Sequence, residues 1–267
     1  MAKVKHTNGI IVGTINGMNY YEQYGQQIVR KAGGGFNRDA IMNKDSMAPV
    51  RHNMSLFGNL MHENKLIRQG LAPLYAGRKF AHLHSKMQNP LRAIASLDPA
   101  EEKSEQSFYI GMKDPRGQSI FKSFCFTPDV KLSRLIPYTI RYDVKSHAVK
   151  LPNFDHRYLN GPKFATHVML RVVQLVFEEQ QRDVYSFVEA PVLVDLEKDV
   201  QNLSFDPSPI DLPLSVIEEV EGVTAVFVGA RFLMEQNGNL YDLEGDDALS
   251  IGCVAVVNGG APRCCGG

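Results

Sequence analysis

Between residues 39 and 96 the apolar side chains recur every three or four positions. Before residue 35 and after residue 106 they fall in short β-branched, aromatic or alternating runs. A helical period confined between two stretches of strand period predicts an α+β chain, mainly β. The expected order is an N-terminal β arm (1–35), a basic two-helix segment with its linker (36–105), an antiparallel β-sandwich (106–258) and a Gly/Cys-rich tail (259–267).

Within the arm, Ile10–Ile15 is followed by Asn16-Gly17, the strongest two-residue hairpin signal. Met18–Tyr21 and, past Gly25, Gln26–Arg30 complete a meander. Gly33-Gly34-Gly35 reads as a joint. Three short strands bury little by themselves, so the arm needs a sheet from elsewhere in the chain or from another copy. In the helical segment, Val50, Met54, Phe57, Met61, Ile67 and Leu71 predict one buried stripe. A second helix carries Leu74, Phe80, Leu83 and Met87, breaks at Asn89-Pro90, and resumes with Leu91 and Ile94. Asp98–Glu105 reads as an acidic linker. From residue 106 on, strands are expected in the run holding Phe121, Phe124, Cys125 and Phe126, opened by an Asp114-Pro115-Arg116-Gly117 turn. Tyr138–Tyr142, Ala165–Phe177, Val184–Val194, Thr224–Met234 and Ser250–Val257 follow, with a hairpin at Asn237-Gly238.

Lysine and arginine balance aspartate and glutamate at 29 each, which leaves no net charge to draw a foreign polyelectrolyte. The balance hides an asymmetry. Residues 1–177 hold 25 basic and 12 acidic side chains; residues 178–267 hold 4 and 17. Either the two stretches intermix in the fold, or a basic and an acidic face attract each other between copies and set up head-to-tail contacts. No apolar run is long enough to span a bilayer. The N-terminus lacks the apolar core of a classical signal peptide, so synthesis in the cytoplasm is expected, with a final place in an extracellular fibre or a phage-like particle.

The chemistry-bearing motifs are missing: no GxSxG, HExxH, Walker loop or strand–GxGxxG–helix unit occurs. No CxxC is present, and His82 and His84 lie two residues apart, where helical side chains diverge. Asp242–Asp247 lacks EF-hand spacing and reads as a solvated loop. No catalytic residue, cofactor or metal is assigned, and no enzyme is expected. Cys125 and Cys253 read as small buried hydrophobes; Cys264 and Cys265, too close for an ordinary mutual bridge, are candidates for a crosslink between subunits.

The segments Gly13-Thr14-Ile15-Asn16-Gly17-Met18, Val29-Arg30-Lys31-Ala32-Gly33-Gly34 and Arg51-His52-Asn53-Met54-Ser55-Leu56-Phe57-Gly58 together resemble an uncharacterised bacterial family of Bacteroidota type. It is built from a Gly-rich β unit, a helix and a β-rich remainder, and the resemblance implies architecture only. The functional expectation is a self-assembling structural protein that partners itself in a filament or virion-like assembly, joined by strand addition and basic-to-acidic contacts. The expected interface comprises Ile11, Val12, Ile15, Met18, Tyr20, Tyr21, Ile28, Val29, Arg30, Arg51 and Arg68. The alternatives are a monomeric sandwich that binds carbohydrate or protein, and a nucleic-acid binder using the basic helical segment, which is not favoured because its charges are scattered.

Overall fold

The computed structural model describes residues 5–7, 10–23, 25–33, 38–80, 82–127, 130–180, 182–197, 209–215 and 222–258. The chain is α+β: strands first, helices in the middle, and an antiparallel half-barrel towards the C-terminus. It divides into two compact units, Met1–Ser55 and Leu56–Gly267.

The first unit opens with an antiparallel meander of four strands, β1 (Lys5–Thr7), β2 (Ile10–Ile15), β3 (Met18–Gln23) and β4 (Gln26–Lys31), paired in that order. Asn16 and Gly17 both take positive φ, +47° and +74°, which makes the type I′ turn whose twist suits a two-residue hairpin. A short helix α1 (Arg38–Asn43) and a 3-10 turn (Asp45–Met47) lead into α2 (Ala48–Gly70). Among the described residues of this unit with a defined burial, Ala40 alone is buried.

The second unit is organised by two long strands, β7 (His167–Glu178) and β11 (Val223–Gln236), paired from Val223↔Phe177 to Leu233↔His167. Each long strand is flanked on its outer side by two shorter ones. β8 (Asp183–Val188) and β9 (Val192–Asp195) pair with β7; β12 (Asn239–Asp242) and β13 (Leu249–Asn258) pair with β11. The hairpin at Asn237-Gly238 is formed, with φ of +54° and +77°. A second sheet, in the order β10 (Ile210–Pro213), β6 (Ala148–Leu151), β5 (Arg141–Asp143), packs on one face of the first.

Period-two alternation sorts the central strands into two cores. Val168, Leu170 and Val172 of β7 with Val226, Val228 and Phe232 of β11 face the small sheet. Val173, Leu175 and Phe177 with Val223, Ala225 and Phe227 face the helices. Both faces of the long ladder are therefore covered, one by a sheet as expected of a sandwich and the other by helices. At roughly 1.5–3 kcal/mol per fully buried apolar side chain, this double burial dominates the unit's stability.

Where the sequence predicts strands after residue 106, three helices stand first. These are α5 (Phe108–Lys113), α6 (Pro115–Ser123) and α7 (Leu132–Leu135). The predicted Asp114–Gly117 turn is a helix start: the Asp114 carboxylate accepts from the Arg116 N–H at 2.7 Å and Pro115 takes the first helical position. The aromatics that suggested strand are a helix-borne cluster, in which Phe121 meets Phe108, Phe126, Phe177 and Phe227 at ring-centroid distances of 5.5–6.0 Å. Gly117 lies so close to α5 that a Cβ there would sit 2.0 Å from the Gly111 carbonyl oxygen. The predicted break at Asn89-Pro90 is also absent. After α3 (Ala72–Tyr75), α4 (Leu83–Ala95) runs through Pro90, held by its buried line Leu83, Met87, Leu91 and Ile94.

Asp98, expected in an exposed acidic linker, is buried; its carboxylate accepts from the Ala100 N–H at 3.0 Å and the Ser107 N–H at 2.8 Å. The charge split at residue 177 falls within β7, whose partner strands β8 and β11 belong to the acidic stretch. Basic and acidic blocks thus interleave in one sheet, and Lys113 pairs with Glu179 across the split.

Candidate assembly surface

In β2–β4 every residue whose burial is described is partly or fully exposed, and Val29 keeps 47% of its surface. The strand register sorts the expected interface residues onto two faces. The cross-strand pairs Ile15↔Met18 and Tyr20↔Val29 lie on one face, and Ile11 joins them by alternation along β2. Val12, Tyr21, Ile28 and Arg30 lie on the other, among Thr14 and Asn19. The register therefore divides the expected set into an apolar group, which shares its face with Glu22, Gln27 and Lys31, and a mixed group on the other face.

The mixed face has internal partners. Arg30 sits 5.4 Å above the Tyr21 ring, and the Thr14 hydroxyl bonds the Asn19 side chain. The face of the apolar group has its carbonyl edge tied by Gln27, whose amide donates to the Ile11 carbonyl at 3.2 Å. At the sheet's side, β4 pairs only with β3 among the described strands, so its outer backbone groups form an open edge.

Arg51 and Arg68 each commit one guanidinium nitrogen to their own chain. Arg51 donates from Nη1 to the Ile41 and Lys44 carbonyls at 2.8 and 2.9 Å, which ties the chain before α2 onto that helix. Arg68 donates from Nε to Asn64 Oδ1 at 2.9 Å, and Asn64 in turn donates to the His84 carbonyl. Cys264 and Cys265 lie outside the described residues.

A second uncovered apolar line runs along α2. The predicted stripe is buried only in its second half, at Ile67 and Leu71: Met54 and Phe57 are each 54% exposed, while Val50 and Met61 are half-buried. The side of α2 facing the core carries Leu56, Leu60, Glu63, Asn64, Ile67 and Gly70 instead. Two apolar stripes share one helix, and the sequence alone names both without ranking them.

Glu63 is the titratable group that sequence reasoning missed, although an acid on the line Leu56–Leu60–Ile67 is a visible anomaly. It is 3% exposed, and its Oε2 has no hydrogen-bond partner among the described residues. Burial pushes its carboxyl up to about 8, against the attraction of Arg182, so it is mostly protonated at neutral pH. The Tyr109 hydroxyl beside it is likewise buried without a partner, and burial together with Glu63, Asp183 and Glu178 raises its pKa. Among the described residues no group of three or more His, Cys, Asp or Glu is placed to hold a metal ion, and no helix is long and apolar enough to cross a membrane.

Comparison with family models, with curated proteins and with solved structures finds no match to this chain. The functional reading rests on the surfaces themselves.

Proposed function

We propose that this protein is a self-assembling structural subunit whose N-terminal meander is completed by another copy of the chain, in a filament or virion-like assembly. The observation that carries this reading is a four-stranded sheet in which every side chain of described burial is at least partly exposed, one face carrying Ile11, Ile15, Met18, Tyr20 and Val29 beside the polar Glu22, Gln27 and Lys31. A sheet of that size needs a covered face to be stable in water. An open β4 edge beside that face suits strand addition, where backbone pairing supplies affinity and alternate side chains supply register. The uncovered Met54–Phe57 line on α2 is a further surface of the same kind.

Basic-to-acidic contacts between copies have less behind them, because β7, β8 and β11 interleave the two charge blocks. The nucleic-acid reading is weakened by the same kind of fact. Arg51 and Arg68 donate to groups of their own chain, and Arg78 donates to the Leu243 and Gly245 carbonyls.

The test is the mass of the protein in solution. Light scattering behind size exclusion, with negative-stain microscopy, should show high-mass assemblies for the full chain. Deletion of residues 2–35 should abolish them, as should the pair Tyr20→Asp and Val29→Asp. A strictly monomeric full-length protein, or assemblies indifferent to these changes, would overturn the proposal.

A further inference from the structure

One end of the second unit turns two large aromatic side chains outward on a tethered loop. Tyr158 is 65% exposed and Phe164 75%, the most exposed aromatics among the described residues. The loop itself is held down. The Tyr138 hydroxyl donates to the Asp155 carbonyl at 2.9 Å. Asn160 donates to the Leu135 carbonyl from its backbone and to the Arg134 carbonyl from its amide, at 2.9 and 2.8 Å. A Cβ on Gly161 would sit 2.3 Å from the Phe232 ring, so the backbone there lies against β11. Aromatic rings carried on a fixed backbone lose little conformational freedom when a partner covers them.

The same end carries a second patch. Thr166, two residues past Phe164, is fastened to one side of β11. Its N–H donates to the Leu233 carbonyl at 2.9 Å, and its Oγ1 accepts from the Glu235 N–H at 2.7 Å. On the other side of β11, Met234 pairs with Tyr241 of β12. Alternation puts Met234, and Tyr241 with it, on the face of Phe232, against which the loop lies at Gly161. One strand separates the two patches, so they lie about 10 Å apart.

Their charges are opposite. Tyr241 is 51% exposed, and the turn after it presents Glu244, Asp246 and Asp247 to solvent with no ion pair among the described residues. That turn is held in place by Arg78, which donates to the Leu243 and Gly245 carbonyls. On the loop side, Arg134 and Lys163 are exposed and likewise have no ion pair among the described residues, while Asp155 is taken by Arg157. The basic loop alone would suit a nucleic acid, but three exposed carboxylates within about a Debye length work against phosphate. A surface that carries both signs side by side is complementary to itself across a two-fold axis.

We propose that this end of the second unit is a two-fold interface with another copy of the chain. The Tyr241 hairpin of each copy covers Tyr158 and Phe164 of the other, and Arg134 and Lys163 face Glu244, Asp246 and Asp247. The contact is separate from the meander and does not depend on it. Alone it closes at two copies; joined to a meander contact it turns pairs into a chain.

The test uses the full chain carrying Tyr20→Asp and Val29→Asp to remove the meander contact, in reducing buffer so that Cys264 and Cys265 form no crosslink. Light scattering over a concentration series should show the mass of a dimer. Arg134→Glu with Lys163→Glu makes the loop acidic; Glu244→Lys, Asp246→Lys and Asp247→Lys together make the hairpin basic. Each set should weaken dimerisation at least ten-fold. Mixing the two variants in equal amounts should restore a dimer holding one copy of each, read by native mass spectrometry. Phe164→Ser should weaken the dimer at least ten-fold with an unchanged circular dichroism spectrum. A strict monomer at the highest soluble concentration, a dimer indifferent to these changes, or a mixture of folded variants that stays monomeric would overturn the proposal. So would a monomer that binds oligothymidylate through Arg134 and Lys163. Should a charge variant fail to fold, Phe164→Ser still decides.

Discussion

The meander and the β7–β11 ladder use the same local chemistry and reach opposite ends of the burial scale. Both are antiparallel, and both contain an Asn-Gly hairpin with two positive φ values. In the ladder, both faces of the central pairs disappear beneath a second sheet and a helical layer. In the meander, no side chain of described burial disappears at all. Turn chemistry and register set the shape of a sheet, whereas burial sets whether it stands alone.

That contrast can be broken by substitution. The largest effect is expected for Phe227→Ala, which removes a ring packed on Phe121 and Phe126 at 6.0 and 4.9 Å. The loss should be about 3–5 kcal/mol in denaturant unfolding. A loss under about 1 kcal/mol would show that the ladder is no better packed than the meander.

Glu63 gives the next effect, and it has a sign. Its pKa is about 8 in the folded chain against an ordinary value of 4.5 for a glutamate. The folded state therefore binds the proton more tightly, and stability should fall as pH rises from about 4.5 to about 8, by the order of a few kcal/mol. Glu63→Gln should remove that slope in thermal melts taken across the window. An identical slope in the variant would assign it elsewhere.

Thr127→Val keeps the side-chain shape and leaves the buried Ile251 N–H without its acceptor. About 1–3 kcal/mol should be lost. The smallest effect on unfolding, under about 0.5 kcal/mol, is expected for Val29→Ala in the monomeric state, because Val29 keeps 47% of its surface exposed. The same change should weaken any assembly. A large monomer destabilisation would mean that the meander is held within its own chain.

Much of the β structure is legible in the sequence. Asn16-Gly17, Gly25 and Asn237-Gly238 place turns where the chain makes them, and the β-branched runs mark β7, β11 and β13. The helices at 108–123 are not legible, for two physical reasons. Phe108, Tyr109 and Phe121 favour strands by propensity, but tertiary packing against Phe177 and Phe227 overrides it. Asp-Pro serves equally as a turn and as a helix start. On α2 the periodicity is right but its first half names the wrong face, since Met54–Phe57 and Leu56–Leu60, three and four residues apart, are both helical spacings. Of the expected contact residues, the register separates an apolar set from a mixed set, which needs knowledge of pairing.

The ladder's long reach has a consequence for the order of synthesis. β11 and β13, without which the second unit has no central sheet, are translated roughly two hundred residues after the meander. At about 5–20 residues per second, that interval is on the order of ten to forty seconds. Throughout it the nascent chain displays its uncovered sheet while its own covered one does not yet exist. For the assembly proposed above, this means that on a message carrying several ribosomes the meanders of neighbouring copies face one another before any one copy has finished folding.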